Sequence, residues 1–335
     1  MTHQTPSHNA VEAAWILGAD DITPISTEHI GSTMNDAGPD AKPTWVLLNR
    51  TTPGLEEWLV ENAIVRPELI KPLLMEDTRP RCDQFKEGVL LNLRGVNLNP
   101  GADPEDMLSL RMWITGRAIV ALHRYRIMAV EDIISLLKQG EGPGSIGELL
   151  TLVAENLTER MAPVVQKLDE QLDGMDATLD VGDARTDHRA LLDQLAGIRP
   201  VITALRRFIA PQQVALSKLS TLQVEWLDEL DRVSLRHTVD QVTRIVEDLD
   251  ALRERASITK DAIQQSMSDA MTRSMNWLSA VAFVFLPLGF LTGLLGINVG
   301  GMPGVENPWS FAIVCVGLTA IGIALWAYMR AKRLL

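Results

Sequence analysis

Cysteine is nearly absent. Cys82 and Cys315 are the only two in 335 residues. They lie far apart, and the second falls in an apolar run. Neither a disulfide framework nor a zinc-finger spacing is available, and a reduced, cytosol-facing compartment fits best. Histidine is scarce as well, and His3 and His8 belong to the polar stretch "MTHQTPSHNA". That stretch lacks the basic and apolar regions of a signal peptide, so residues 1–12 are expected to be a disordered tail. Basic residues number 31 against 43 acidic ones, for a net charge of −12. A phosphate backbone wants a basic face, so the balance argues against nucleic acid and for attraction of cations. No Gly-rich phosphate loop, nucleophile elbow or HExxH pair occurs, which leaves no catalytic constellation and no cofactor motif. One more absence is informative: from Gln212 to Leu286, 75 residues, there is neither glycine nor proline.

Two uncharged runs are present near the C-terminus, Trp277 to Ile297 and Trp309 to Met329. Each has 21 residues, so as a helix it spans about 31 Å, the thickness of a hydrocarbon core. Trp277, Trp309, Trp326 and Tyr328 stand at the run ends, as interfacial aromatics do. The connection, residues 298–308, is long enough only to turn back, so the runs form a transmembrane hairpin with both ends on one side. Arg330, Lys332 and Arg333 follow the second run, Lys260 and Arg273 precede the first, and the connection offers only Glu306. The positive-inside rule therefore places the N-terminal part and the basic tail, residues 330–335, in the cytosol, with residues 298–308 outside.

The cytosolic part divides in two. Residues 13–145 read as mixed α/β, with strands expected at 14–18, 44–50, 88–96, 108–115 and 117–124 and a helix at 52–63. Residues 146–235 read as helices: a pattern over 146–181, a turn at 182–187, and a return over 188–210. The run without glycine or proline predicts a stalk helix from Arg236 into the first span, ending near Ile297. Its apolar ladder of Leu235, Val239, Val242, Val246, Leu249, Leu252 and Ala256 is close to a heptad. A helix about 90 Å long needs partners along its length, and self-association round a common axis is the simplest supply. The acids Asp169, Glu170, Asp173, Asp176, Asp180, Asp183 and Asp187 form either a solvated face or an electrostatic sink for divalent cations. His123, His188 and His237 read as structural or surface histidines rather than ligands.

A two-helix hairpin encloses no pore, but several copies do. The stalk helix would then line the axis with Asp261, Gln265, Ser268, Thr272, Met275, Ser279, Ala282, Leu286, Gly289 and Gly293. The membrane end of that face is small or apolar, as a close-packed axis needs. Between Ser274 and Val305 there is no charged residue and no histidine. A crossing cation would meet amides, hydroxyls, carbonyls and hydrophobes, which suits an ion that keeps its water. A ring of Asn298 side chains at the outer mouth would read that hydration shell, avoiding the cost of stripping it. Gly293 and Gly296 would let backbone carbonyls approach the axis.

The long helix, "FLPLGFLTGLLGIN" (285–298), the short polar loop "NVGGMPGVENP" (298–308), the second span and the basic tail together resemble the CorA superfamily of divalent-cation transporters. The hallmark Gly-Met-Asn of that family stands here as Gly296-Ile297-Asn298, a variant that looks like its zinc-transporting ZntB branch. The stretch "EDTRPRCDQF" (76–85) resembles a family segment leading into a strand. The resemblance implies an α+β cytosolic domain, an α/β/α sandwich plus long helices, in a funnel-shaped homopentamer of the bacterial-type inner membrane. It implies a filter at Gly296, Ile297 and Asn298, and a pore-facing acid at Asp261. It places a hydrophobic constriction near Met275 and Leu278, with Leu286 further along, and a mouth acid at Glu306. Zinc is the implied ion, with cadmium, nickel, cobalt and magnesium as alternatives. Proton coupling, also raised by the resemblance, finds no titrating group inside the span and would rest on Asp261 or Glu306. From another class, the hairpin could merely anchor a cytosolic sensor or scaffold. An anchor, however, has no need of a polar Gly-Asn hinge.

Overall fold

The computed structural model describes residues 10–18, 22–34, 41–62, 64–76, 78–180, 187–296, 304 and 308–331. Two compact units divide the chain: Met1–Asp176 with Asp193–Ile258, and Ala177–Leu192 with Thr259–Leu335. The elements run in the order β1 (Val11–Ile16), β2 (Thr23–Pro24), α1 (Ile30–Met34), β3 (Thr44–Asn49), α2 (Leu55–Glu61), α3 (Pro67–Leu74), β4 (Arg81–Gln84), β5 (Val89–Gly95), β6 (Leu108–Ile114), β7 (Ala118–His123), α4 (Met128–Lys138), α5 (Ile146–Glu159), α6 (Ala162–Asp180), α7 (His188–Ser220), α8 (Glu229–Leu295) and α9 (Ser310–Ala331).

The first unit holds one seven-stranded sheet in the order β2-β1-β3-β7-β6-β5-β4. β3 and β7 pair in parallel, Thr44 opposite Ala118 through Asn49 opposite His123, and the remaining neighbours are antiparallel. β3, β5 and β7 are almost continuous runs of buried residues, as strands covered on both faces must be. On one face Val46, Leu48, Leu90, Trp113, Val120 and Leu122 pack with Leu55, Leu59, Ile70 and Leu73 of α2 and α3. On the other, a Cβ at Gly95 would come within 2.7 Å of Leu157 Cδ2, which brings α5 directly against β5. The result is the α/β/α sandwich in the α+β class that the resemblance implied. Two arginines are buried in it, and backbone carbonyls receive them. Arg94 Nη1 donates to Met107 O at 2.7 Å and Arg111 Nη1 to Leu73 O at 2.8 Å. Those bonds offset the cost of burying a guanidinium.

Several expected boundaries shift for local reasons. β1 begins at Val11 and Ala10 is buried, so the ordered sheet reaches into residues expected to be a tail. Val11 pairs with Leu48 of β3, which draws the edge strand in. α2 starts at Leu55 rather than 52, because Gly54 at φ 80° closes a turn first. The stretch 146–181 is two helices, since the Pro163 ring would clash with the carbonyl four residues earlier. α3 was hidden by its internal Pro72. α8 starts at Glu229, seven residues before Arg236, and its first turn is a reciprocal cap. Asp228 Oδ1 accepts from Asp231 N at 2.7 Å, and Asp231 Oδ2 accepts from Asp228 N at 3.0 Å. The turn expected at 182–187 lies outside the described residues except for Asp187, whose Oδ1 accepts from Arg189 N and Ala190 N at 3.1 Å and starts α7.

The apolar ladder of the stalk is satisfied within the chain, which corrects the expectation that it calls for other copies. Leu235, Val242, Leu249, Leu252 and Ala256 are all buried in the first unit.

Candidate functional site: the free face of the long helix

In the second unit the covered positions of α8 include Thr259, Ile263, Ser266, Ala270, Ala280, Val281, Val284, Leu288 and Leu291, which share one side at helical spacing. The covered positions of α9 are Ser310, Val314, Leu318, Gly322, Leu325 and Met329. Gly322 sits opposite Leu288, since a Cβ there would meet Leu288 Cδ1 at 3.7 Å. The two apolar helices therefore touch along one narrow seam each. Their most apolar stretches are only 6% and 0% buried, which a core helix of a water-soluble domain would not be. Lipid and further protein are the surroundings such surfaces require.

Away from that seam, Asp261, Gln265, Ser268, Thr272, Met275, Ser279, Ala282, Leu286, Gly289 and Gly293 are all exposed. Their spacing alternates four and three without a slip, a period of 3.5 that holds one face toward a common axis. Gly296 takes the next place in that repeat, at the turn that ends α8. Its N–H donates to Thr292 O at 2.9 Å and to Gly293 O at 3.2 Å. Leu278, 72% exposed, lies beside this row rather than in it, next to Met275. A Cβ built at Gly289 or Gly293 would meet nothing within 4 Å, so within one chain nothing calls for glycine at either place. Gly304 has φ 88°, and its carbonyl accepts from Ser310 Oγ at 2.6 Å at the entry to α9. Ile297, Asn298 and Glu306 lie outside the described residues.

Among the described residues no group of three His, Cys, Asp or Glu side chains is placed to hold a metal ion. Three of the acids of α6 are not bare, because Arg255 of α8 gathers them. Its Nη1 meets Asp169 Oδ1 at 2.8 Å, its Nη2 meets Asp173, and its Nε and Nη2 reach Asp176 Oδ2 at 2.9 and 2.7 Å. Those bonds raise the Arg255 pKa above its ordinary value and hold the guanidinium charged. A helix pattern read alone hides this clamp, since Arg255 lies 79 residues or more from its partners. The histidines are structural in their contacts. His123 is buried, with Nδ1 2.9 Å from Tyr125 O and Nε2 2.7 Å from Glu12 Oε2. His188 Nε2 lies 2.8 Å from Ser266 Oγ, and His237 Nε2 lies 3.2 Å from Gln241 Nε2.

A buried sheet, a long continuous helix with an exposed heptad face and two exposed helices long and apolar enough to cross a membrane fit an integral membrane protein. Residues 40–333 match the CorA-like Mg2+ transporter protein family, and the chain belongs to that family. It is 34% identical over 319 residues to the zinc transport protein ZntB of Pectobacterium atrosepticum, covering 95% of this chain and 94% of that one. It is 35% identical over 292 residues to the divalent cation transporter CmaX of Pseudomonas aeruginosa, covering 86% of each. Its structure is similar to that of the full-length CmaX protein, with a TM-score of 0.81 and 32% identity over 98% of this chain and 100% of that one. The complete structure of the CorA magnesium transporter from Methanocaldococcus jannaschii, 16% identical, shares the fold at a TM-score of 0.76 over 96% and 97% of the two chains.

Proposed function

We propose that this divalent-cation transporter carries zinc through a pore built by several copies of the chain round the free face of α8. The observation that carries the reading is the unbroken heptad row from Asp261 to Gly293, exposed along its whole length. A row of that period finds its partners in further copies of itself, and the assembly proposed is a homopentamer. Zinc as the ion is supported by similarity at 34% identity to a chain of like length named for zinc transport.

In this reading Gly296, Ile297 and Asn298 form the outer filter. Asn298 amides accept hydrogen bonds from the first water shell of the ion, and Glu306 raises the cation concentration at the mouth. Glycine at 289 and 293 lets the helices approach at the axis, which explains why glycine stands where one chain leaves room for any side chain. Met275, Leu278 and Leu286 form the dry constriction, and Ser268, Thr272 and Ser279 are the polar lining below and beside it. Asp261 receives the ion at the cytosolic end, again through water. Both termini lie in the cytosol of a bacterial-type inner membrane. Cadmium, nickel, cobalt and magnesium are the competing ions.

The test is zinc flux into proteoliposomes holding the purified chain, with and without a pH gradient, for the native protein and for Asn298→Ala. The expected result is zinc flux that falls at least tenfold in the variant. Flux of magnesium in preference to zinc would overturn the choice of ion. Absence of flux for every divalent cation, with a folded oligomer in the bilayer, would overturn the pore.

A further inference from the structure

The only parallel pair in the described sheet, β3 and β7, ends both its strands in an arginine. Arg50 follows Asn49, and Arg124 follows His123. The register holds them together, since Arg50 N donates to His123 O at 2.8 Å. A cavity of about 720 Å³ opens at that end of the sheet, within the roughly 300–1,000 Å³ of small-molecule sites. The carboxyl ends of parallel strands are where open α/β sheets bind ligands. Arg50 and Arg124 line the cavity together with Arg207 of α7, a concentration of positive charge in a chain whose net charge is −12.

Arg50 is held in place by carbonyls, its Nη1 donating to Met75 O at 3.0 Å and to Leu74 O at 3.3 Å. Among the described residues no carboxylate forms an ion pair with Arg50 or with Arg124. Burial, and then the Arg124 charge beside it, lower the Arg50 pKa from its ordinary value, while the Glu76 carboxylate pulls it back up. Three acids, Glu76, Glu105 and Asp106, share the lining, so the cavity is polar on both signs rather than a plain cation cluster. Two aromatic rings complete it. Arg124 lies over the Tyr125 ring at 5.1 Å, and Arg94 and Arg207 lie over the Phe208 ring at 3.9 and 5.4 Å. Guanidinium groups lying over aromatic rings form a cation-π layer on which a second planar group can be placed. Asn97 and Asn99 add amide donors and acceptors.

We propose that this cavity binds a nucleoside phosphate. The phosphate lies between Arg50 and Arg124, whose forked donors match its oxygens, and the base stacks on the arginine-aromatic layer near Phe208. The ribose hydroxyls donate to the carboxylates of Glu105 and Asp106. Such a ligand uses both signs of charge and both kinds of surface, which a free anion does not. The site lies wholly in the first unit and is separate from the α8 row, so it adds a small-molecule input to a transporter without depending on which ion is carried.

The test is isothermal titration calorimetry of the full chain in detergent, free of divalent metal, with AMP as the probe and inorganic phosphate as comparison. AMP is expected to bind one per chain, at least tenfold more tightly than phosphate. Arg124→Gln, at an exposed side chain, is expected to weaken AMP at least tenfold while leaving the thermal midpoint unchanged. Arg207→Gln provides a second variant should the first fail to fold. Three results would overturn the assignment: no heat with AMP, ADP or ATP at millimolar concentration; equal affinity for AMP and phosphate; or affinity unchanged in both variants. Zinc flux is not a readout here, so failure of this proposal is distinguishable from failure of the pore.

Discussion

Two ladders run along the same helix, α8, and they meet opposite fates. Leu235, Val242, Leu249, Leu252 and Ala256 repeat at nearly seven residues and are buried by their own chain. The row from Asp261 to Gly293 repeats as regularly and stays exposed, with Met275 at 59% and Leu286 at 72%. Spacing makes a face, and what covers the face depends on what else the chain folds beside it. The first ladder has neighbours in its own unit. The second has α9 on the opposite side and, among the described residues, nothing on its own. A heptad is thus no evidence of self-association until the surroundings of its residues are known.

The contrast is broken most severely on the covered side. Trp45 of β3 is 2% exposed, and Trp45→Ala is expected to cost about 3–5 kcal/mol by leaving a cavity in the sandwich. Chemical denaturation of the full chain in detergent measures it. A loss under 1 kcal/mol would mean that the sheet is not the stable core. On the free side the same experiment should show little, and transport should show much. Gly293→Val adds atoms where one chain has open space. Unchanged denaturation with at least a tenfold fall in zinc flux is expected, because the valine meets other copies at the axis. Native flux in this variant would remove Gly293 from the pore.

The smallest effect sharpens the comparison inside α8 itself. Asp250 accepts two hydrogen bonds from Arg206 of α7, the second at 3.0 Å, and that bonding lowers the carboxyl pKa from its ordinary value. A carboxyl with a lowered folded pKa adds stability above its unfolded value, near 3.9, and loses it as pH falls through the folded value. The pair is half exposed, so solvent screening keeps it to roughly 0.2–1 kcal/mol. Asp250→Asn is expected to lower the thermal midpoint by about a few degrees or less at pH 7, and by progressively less as pH falls below the ordinary carboxyl range through the lowered folded value. A gap between native and variant that widened on acidification would reverse the sign and refute the pairing.

How much was legible varied by element. The strands with long apolar runs, β3, β5, β6 and β7, were placed to within two residues, because burial on both faces writes itself as runs rich in Val, Ile and Leu, with only Asn92, Arg94, Ser109 and Arg111 as the polar breaks in β5 and β6. β2 has two residues, too few for any pattern, and β4 showed only as part of the family-like stretch 76–85. The two spans were legible because lipid demands an uncharged length, a constraint that needs no partner to be seen. The free row of α8 was readable as a face, but Ile297, Asn298 and Glu306 lie outside the described residues and rest on the resemblance.

Sequence alone determined two runs long and apolar enough to cross a membrane, the continuity of α8 and the covered strands, because each follows from side-chain polarity at short range. Only the tertiary structure decided which ladder of α8 is covered, that Arg255 holds Asp169, Asp173 and Asp176, and that Arg50 and Arg124 stand together at one cavity. Those are pairings between residues tens of positions apart. Chain topology creates them, through the parallel register of β3 with β7 and the packing of α6 on α8. No local periodicity encodes such distances.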